Sequence, residues 1–165
     1  MKLLIHDLPP ETFESLLTNN DDTTVIDASG KYAPCRGCFN CWLKTPGYCF
    51  IKDEIQHVGA LFGKCREIII VSRNCYGGYS GAVKKVIDRS ISASLPFFTY
   101  RGGDIHHRYR YRGDKSLKVI LYGDFIETER ETASVLVEAN RLNLGCRSAE
   151  LLITENPEDI GGLLS

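Results

Sequence analysis

Four cysteines within fifteen positions carry the densest chemistry of the chain: Cys35-Arg-Gly-Cys38-Phe-Asn-Cys41 and, after Trp42 to Tyr48, Cys49. The pattern is C-x-x-C-x-x-C-x7-C. Two-residue gaps let successive thiolates converge from a tight loop, and Gly37 supplies the backbone freedom such a turn requires. A fourth thiolate downstream completes a four-sulfur set, which both Zn²⁺ and iron-sulfur clusters accept. Structural zinc sites usually come as two separated cysteine pairs. Three cysteines at two-residue spacing therefore favour a [4Fe-4S] cluster, with Cys35, Cys38, Cys41 and Cys49 as metal ligands and one-electron chemistry as the consequence. The residues alone leave other readings open: zinc, a thiol pair that oxidises reversibly, or small hydrophobes packed in a core.

Of the three remaining cysteines, Cys65 and Cys146 lie beside predicted strands and read as core residues, whereas Cys75 falls in a predicted ligand loop and is expected to be exposed. Structural disulfides are rare in the cytoplasm, where thiols are kept reduced, so seven cysteines there need another explanation. The segment Met1 to Leu8 is too short for a signal-peptide core and is broken by His6 and Asp7, and no apolar run approaches the ~20 residues of a membrane span. A cytoplasmic location is expected. With 20 basic against 21 acidic residues and a net charge of −1, nothing in the bulk charge attracts nucleic acid or membrane.

The elements that must hold this chemistry follow from hydrophobic periodicity. Lys2 to Asp7, Thr23 to Asp27, Glu67 to Ser72, Leu117 to Tyr122 and Arg147 to Ile153 read as strands. Ile68 to Val71 forms the near-continuous apolar run of a parallel strand covered on both faces. Pro9 to Leu17, Asp53 to Gly63, Ser80 to Ser92 and Thr128 to Leu144 read as helices, the second capped by Asp53. Ala28 to Lys52 is a loop bearing the cysteines, 94–116 a second long loop, and the last dozen residues are expected to fray. Alternation of strand and helix predicts one α/β domain over 1–165, a three-layer, doubly wound, five-stranded parallel sheet.

Such sheets bind ligands beyond the carboxyl ends of their strands. That rule selects Leu8 to Glu11, Asn74 to Ser80 and Gly123 to Thr128. The candidate cofactor-binding residues are Thr12, Arg73, Asn74, Cys75, Tyr76, Gly77, Gly78, Tyr79, Ser80, Gly123 and Asp124. Gly77 and Gly78 let a flat ring approach the backbone, and Tyr76 or Tyr79 can stack on it; as an alternative, the tyrosines plug the end of the sheet.

The cysteine run placed after the second strand, followed by Ile51-Lys52-Asp53-Glu54, together with Tyr76-Gly77-Gly78-Tyr79-Ser80-Gly81-Ala82-Val83-Lys84 and Ile87-Asp88-Arg89, resembles the flavodoxin-like NADPH-dependent FMN reductase superfamily, in particular its iron-sulfur flavoproteins. The resemblance covers roughly residues 1 to 153. It implies a flavodoxin-like sheet of order 2-1-3-4-5 and an FMN-binding redox protein of the NAD(P)H-dependent flavin oxidoreductase type. It further implies electron relay between FMN and a [4Fe-4S] cluster, with NAD(P)H or a protein as electron donor, and a homodimer or homotetramer. The first loop departs from the family's Gly-Ser-Pro pattern. In Asp7-Leu8-Pro9-Pro10-Glu11-Thr12 two prolines remove amide donors, two carboxylates repel a phosphate, and Thr12 alone offers a hydroxyl. The alternative is a non-enzymatic protein of this fold with a weakened flavin site, whose cysteine loop binds a structural metal or a protein partner.

The loop Arg101 to Arg112 alternates arginine with tyrosine, a composition suited to anionic partners or a subunit interface. His106 and His107 within it are expected to face solvent, and His6 and His57 to be structural. Asp88 and Arg89 are placed to pair at a helix end.

Overall fold

The computed structural model describes residues 1–16 and 22–164. In chain order its strands are β1 (Lys2–His6), β2 (Thr23–Asp27), β3 (Glu67–Arg73), β4 (Ser94–Arg101), β5 (Asp104–Tyr109), β6 (Ser116–Tyr122) and β7 (Ser148–Thr154). The helices are α1 (Pro10–Leu16), α2 (Asn40–Leu43), α3 (Val58–Lys64), α4 (Gly81–Arg89), α5 (Glu127–Leu144) and α6 (Ile160–Leu163), with a 3₁₀ turn at Ser90–Ala93 after α4. Position 17, the expected last residue of the first helix, lies outside the described residues.

Five strands form one parallel sheet in the order β2-β1-β3-β6-β7. Because side chains alternate across a strand, each central strand has two apolar sets. Ile68 and Ile70 of β3 join Leu3, Ile5, Leu117, Val119 and Leu121 beneath α3, α4 and α5, which contribute Val58, Phe62, Val83, Val86, Ala133 and Val137. Ile69 and Val71 face the other way, with Leu4, Ile120 and Tyr122, against Phe13 of α1 and Ile160 of α6. Burial on both faces is why β3 reads as an unbroken apolar run.

Four details correct the sequence reading. The order, expected as 2-1-3-4-5 over five strands, is 2-1-3-6-7 when all seven are numbered, because the stretch 94–116, expected to be a loop, contains the antiparallel hairpin β4-β5, which adds two strands outside the main sheet. The helix expected over 53–63 begins only at Val58: the Asp53 carboxylate is tied to Arg89 and accepts from Ala33 N–H at 3.2 Å, so it anchors a turn instead of capping a helix. The last residues do not simply fray, since Ile160 is fully buried in the second core cluster. The helix expected through Ser92 ends at Arg89 and continues as the 3₁₀ turn.

The long helix α5 is closed by Gly145, whose φ of 72° is the left-handed C-cap conformation. A Cβ there would lie 2.7 Å from the Tyr109 ring. No helix among the described residues is long and apolar enough to cross a membrane.

Candidate functional site

Two places could carry chemistry, and α4 separates them. Its first residue follows the loop at the carboxyl edge of the sheet; its last, Arg89, underlies the cysteine loop, roughly 13 Å further along at 1.5 Å per residue.

At the far end, Arg89 is 1% exposed, and its guanidinium clamps both ends of the cysteine loop. Nη1 donates to Ala33 O at 2.7 Å and to Asp53 at 2.8 Å, and Nη2 donates to Asp53 at 2.7 Å and Ile51 O at 3.3 Å. Burial opposes the Arg89 charge, but the hydrogen bonds to Asp53 hold it above its ordinary range, and the same bonds hold the Asp53 carboxyl below the usual carboxylate range. Asp88, expected to partner Arg89, instead pairs with Lys84. The clamp suspends a loop whose four cysteines all line one cavity of about 610 Å³. Cys35 and Cys38 are exposed and Cys41 and Cys49 buried. Burial, reinforced by the neighbouring thiols, pushes the Cys41 thiol up. One helical turn, α2, places Trp42 so that its Nε1 donates to Ser94 O at 3.0 Å. Trp42 stacks on Phe39 at 5.3 Å and meets His107 at 4.8 Å, and His107 meets Phe98 at 4.7 Å. This aromatic ladder ties the cysteine loop to the hairpin, so His107 is not the solvent-facing residue expected.

A [4Fe-4S] cluster requires four thiolates converging on one centre. The donor chemistry fits; the geometry does not, because no three His, Cys, Asp or Glu side chains among the described residues are grouped to hold a metal.

At the carboxyl edge, β1, β3 and β6 end side by side. Asp7 accepts from Arg73 N–H at 3.0 Å and from the Tyr122 hydroxyl at 3.1 Å. Burial, then the adjacent Asp7 charge, keeps that phenol protonated. His6, 3% exposed, stacks on Phe13 at 3.9 Å, neither ring nitrogen has a hydrogen-bond partner among the described residues, and burial lowers its pKa against the pull of Asp27 and Asp7. Asn74 joins the second and third loops: Nδ2 donates to Asp124 O at 2.7 Å and Glu129 at 2.9 Å, and Oδ1 accepts from Gly77 N–H at 2.9 Å. Cys75 and Gly78 exchange two backbone bonds of 3.0 Å, and Ser80 N–H donates to Ser72 Oγ at 2.9 Å. Gly77, at φ 78°, needs its missing side chain for a different reason from the one expected: a Cβ would stand 2.6 Å from Glu129 O, so it brings the loop onto α5. Tyr79 faces inward, accepts from Asn140 at 3.0 Å, and burial pushes its phenol up to about 12; it plugs the sheet end. Tyr76 points out. It is 85% exposed on left-handed backbone at φ 56°.

Thr12 is half-buried in α1, Gly123 donates to Thr154 O at 3.0 Å, and Cys75 and Asp124 are exposed. The edge therefore gathers Arg73, Asn74, Tyr76, Gly123 and Asp124, but not Tyr79. Tested against FMN, the ring end fits: Tyr76 presents a free aromatic face beside a loop held rigid from below. The phosphate does not fit the first loop, where Pro9 and Pro10 lack donors and Asp7 is negative. The cation available there is Arg73, exposed and with no side-chain hydrogen bond or ion pair among the described residues. Sequence reasoning missed Asp7, Tyr122, Glu129 and the Arg89–Asp53 clamp as organisers of these sites, since their partners lie 36 to 115 residues away.

No family model and no curated protein matches the chain. Solved structures do. The NAD(P)H:quinone oxidoreductase of Methanothermobacter marburgensis aligns over 99% of this chain and 94% of its own, with TM-score 0.59 and 11% identity. The azoreductase AzrA aligns over 96% and 89%, with TM-score 0.61 and 14% identity. An FMN-dependent NADH-azoreductase from Bacillus anthracis, solved with FMN, aligns over 95% and 88%, with TM-score 0.53 and 12% identity. The chain thus has the flavodoxin-like fold of these oxidoreductases.

Proposed function

We propose that this chain is an FMN-dependent redox protein of the oxidoreductase class, taking electrons from NAD(P)H or a protein donor, with the flavin at the crevice formed by the ends of β1, β3 and β6. The observation that carries this reading is the pairing, at that edge, of an outward tyrosine on left-handed backbone with the uncommitted Arg73. The fold shared with FMN-dependent enzymes supports it. Tyr76 stacks on the ring, Asn74 fixes the loop beneath it, Gly123 and Asp124 border it, and Arg73 takes the phosphate in place of the first loop. Bound there, FMN supplies one- and two-electron chemistry.

A second element of the reading concerns Cys35, Cys38, Cys41 and Cys49. The four line one cavity but do not converge on one centre as they stand, so a [4Fe-4S] cluster relaying electrons with FMN would require Cys35 and Cys38 to move onto Cys41 and Cys49. The weakened first loop favours the competing reading, a non-enzymatic protein whose cysteine loop holds a structural metal or a partner. Anaerobically purified protein decides between them. Flavin absorbance, retained or restored by added FMN and bleached by dithionite, supports the redox protein, and iron with a brown shoulder supports the cluster. Protein that is colourless, free of iron and unable to bind added FMN sinks both.

A further inference from the structure

Lys115 is a buried cation, 7% exposed, without a carboxylate within ion-pair distance among the described residues. Its ammonium donates to one acceptor, Phe62 O, at 3.2 Å. The thiols near it do not compensate the charge: burial pushes both Cys65 and Cys146 up, the latter to about 11, so they stay neutral. Buried ammonium groups are otherwise paired, because desolvation of an uncompensated charge is costly. Lys115 lines the same 610 Å³ cavity as the cysteine loop. That volume is in the range of small-molecule sites. Among the described residues Asp88 is the one carboxylate on the cavity wall, and it is already bound to Lys84.

Other residues of the lining suit a flat apolar body with one acidic end. Phe62, Ile87, Tyr109 and Leu144 line it, and Asn143 meets His106 through its oxygen at 3.2 Å, leaving its amide hydrogens to donate. Of the two guanidiniums on the wall, Arg89 is committed to Asp53, Ala33 O and Ile51 O, and Arg36 is exposed on the cysteine loop, so Lys115 and Asn143 present one ammonium and one amide, a match for a monoanion.

We propose that this cavity is a binding site for a small organic carboxylate with an aromatic body, the carboxylate on Lys115 and Asn143 and the body between Tyr109 and the apolar wall. The site lies apart from the carboxyl-edge crevice and does not depend on the flavin assignment.

The test is calorimetric titration of the full chain with 2-naphthoate, with no flavin or metal present. Saturable one-to-one binding is expected. Lys115→Met should weaken it roughly ten- to a hundredfold, the effect of losing a hydrogen bond to a charged group, while Lys64→Met on the surface leaves it unchanged. The neutral 2-naphthamide should bind wild type and Lys115→Met equally. Without ligand, Lys115→Met should melt no lower than wild type, because an uncompensated buried charge has been replaced by an apolar side chain of similar length. Absence of saturable binding to wild type, equal naphthoate affinity in Lys115→Met, or a melting point lowered by this substitution would each overturn the proposal, the last by making Lys115 a strut for the Phe62 carbonyl.

Discussion

Replacing Asp53 by Asn tests whether the cysteine loop is held by charge. The change keeps the side chain's shape but strips the counter-charge from Arg89, whose side chain has no exposure while that of Asp53 is 17% exposed. Breaking a buried pair from one side costs about 3–5 kcal/mol. Against a total stability of about 5–15 kcal/mol this is a large fraction. At ~2–4 °C per kcal/mol for a chain of this size, melting should fall by roughly 6–20 °C. Acid sharpens the test. A carboxyl whose folded-state pKa is lowered adds stability that is fully present above its unfolded pKa, about 3.9, and is lost as pH falls through the lower folded value. The gap between wild type and Asp53→Asn should stay constant from neutrality to about pH 5 and shrink below about pH 4. Arg89→Met in the Asp53→Asn background should recover part of the loss, since the two changes share one interaction. Thermal melts across pH measure all of this. A shift equivalent to under about 1 kcal/mol, or a gap that widens in acid, would refute the clamp.

Three further outcomes follow from the same geometry. Ellman's reagent on the native, metal-free chain should modify Cys35, Cys38 and Cys75 quickly and the four buried cysteines only on unfolding; in Asp53→Asn, Cys41 and Cys49 should join the fast class. Asp7→Ser should raise FMN affinity about tenfold in a fluorescence titration, because it removes a carboxylate from the phosphate side of the crevice and adds a hydroxyl; unchanged or weaker binding would place the phosphate elsewhere. Gly145→Ala should lower stability by more than about 1 kcal/mol in a urea melt, since it forces a side chain into left-handed backbone and against Tyr109.

Much of the fold was legible because local pattern and burial agree. The run Ile68 to Val71 has both faces covered, and Ser80 caps α4 through Val83 N–H at 3.3 Å as its residue type invites. The hairpin has a local signal, since Phe97-Phe98-Thr99-Tyr100 is strand-forming and Gly102-Gly103 a turn, but the surrounding arginines mask its alternation. The candidate sites were legible as to which loops meet, not as to which groups are already committed. Nothing local tells that Asp7 engages Arg73 N–H 66 residues on, or that Tyr79 turns inward to Asn140 while Tyr76 turns out. The same holds for the cysteines: spacing shows four thiols in one loop, but not that two are exposed and two buried, nor that Arg89 reaches across to Asp53 beneath them.

The central claim is that the crevice at the ends of β1, β3 and β6 holds FMN with Arg73 on the phosphate. It is tested most directly by titrating flavin-free protein with FMN and with riboflavin, for wild type and Arg73→Met, following flavin fluorescence. The account predicts that wild type prefers FMN and that Arg73→Met abolishes the preference while still binding the ring. A wild type that binds neither flavin, or a preference for FMN that survives Arg73→Met, would contradict it.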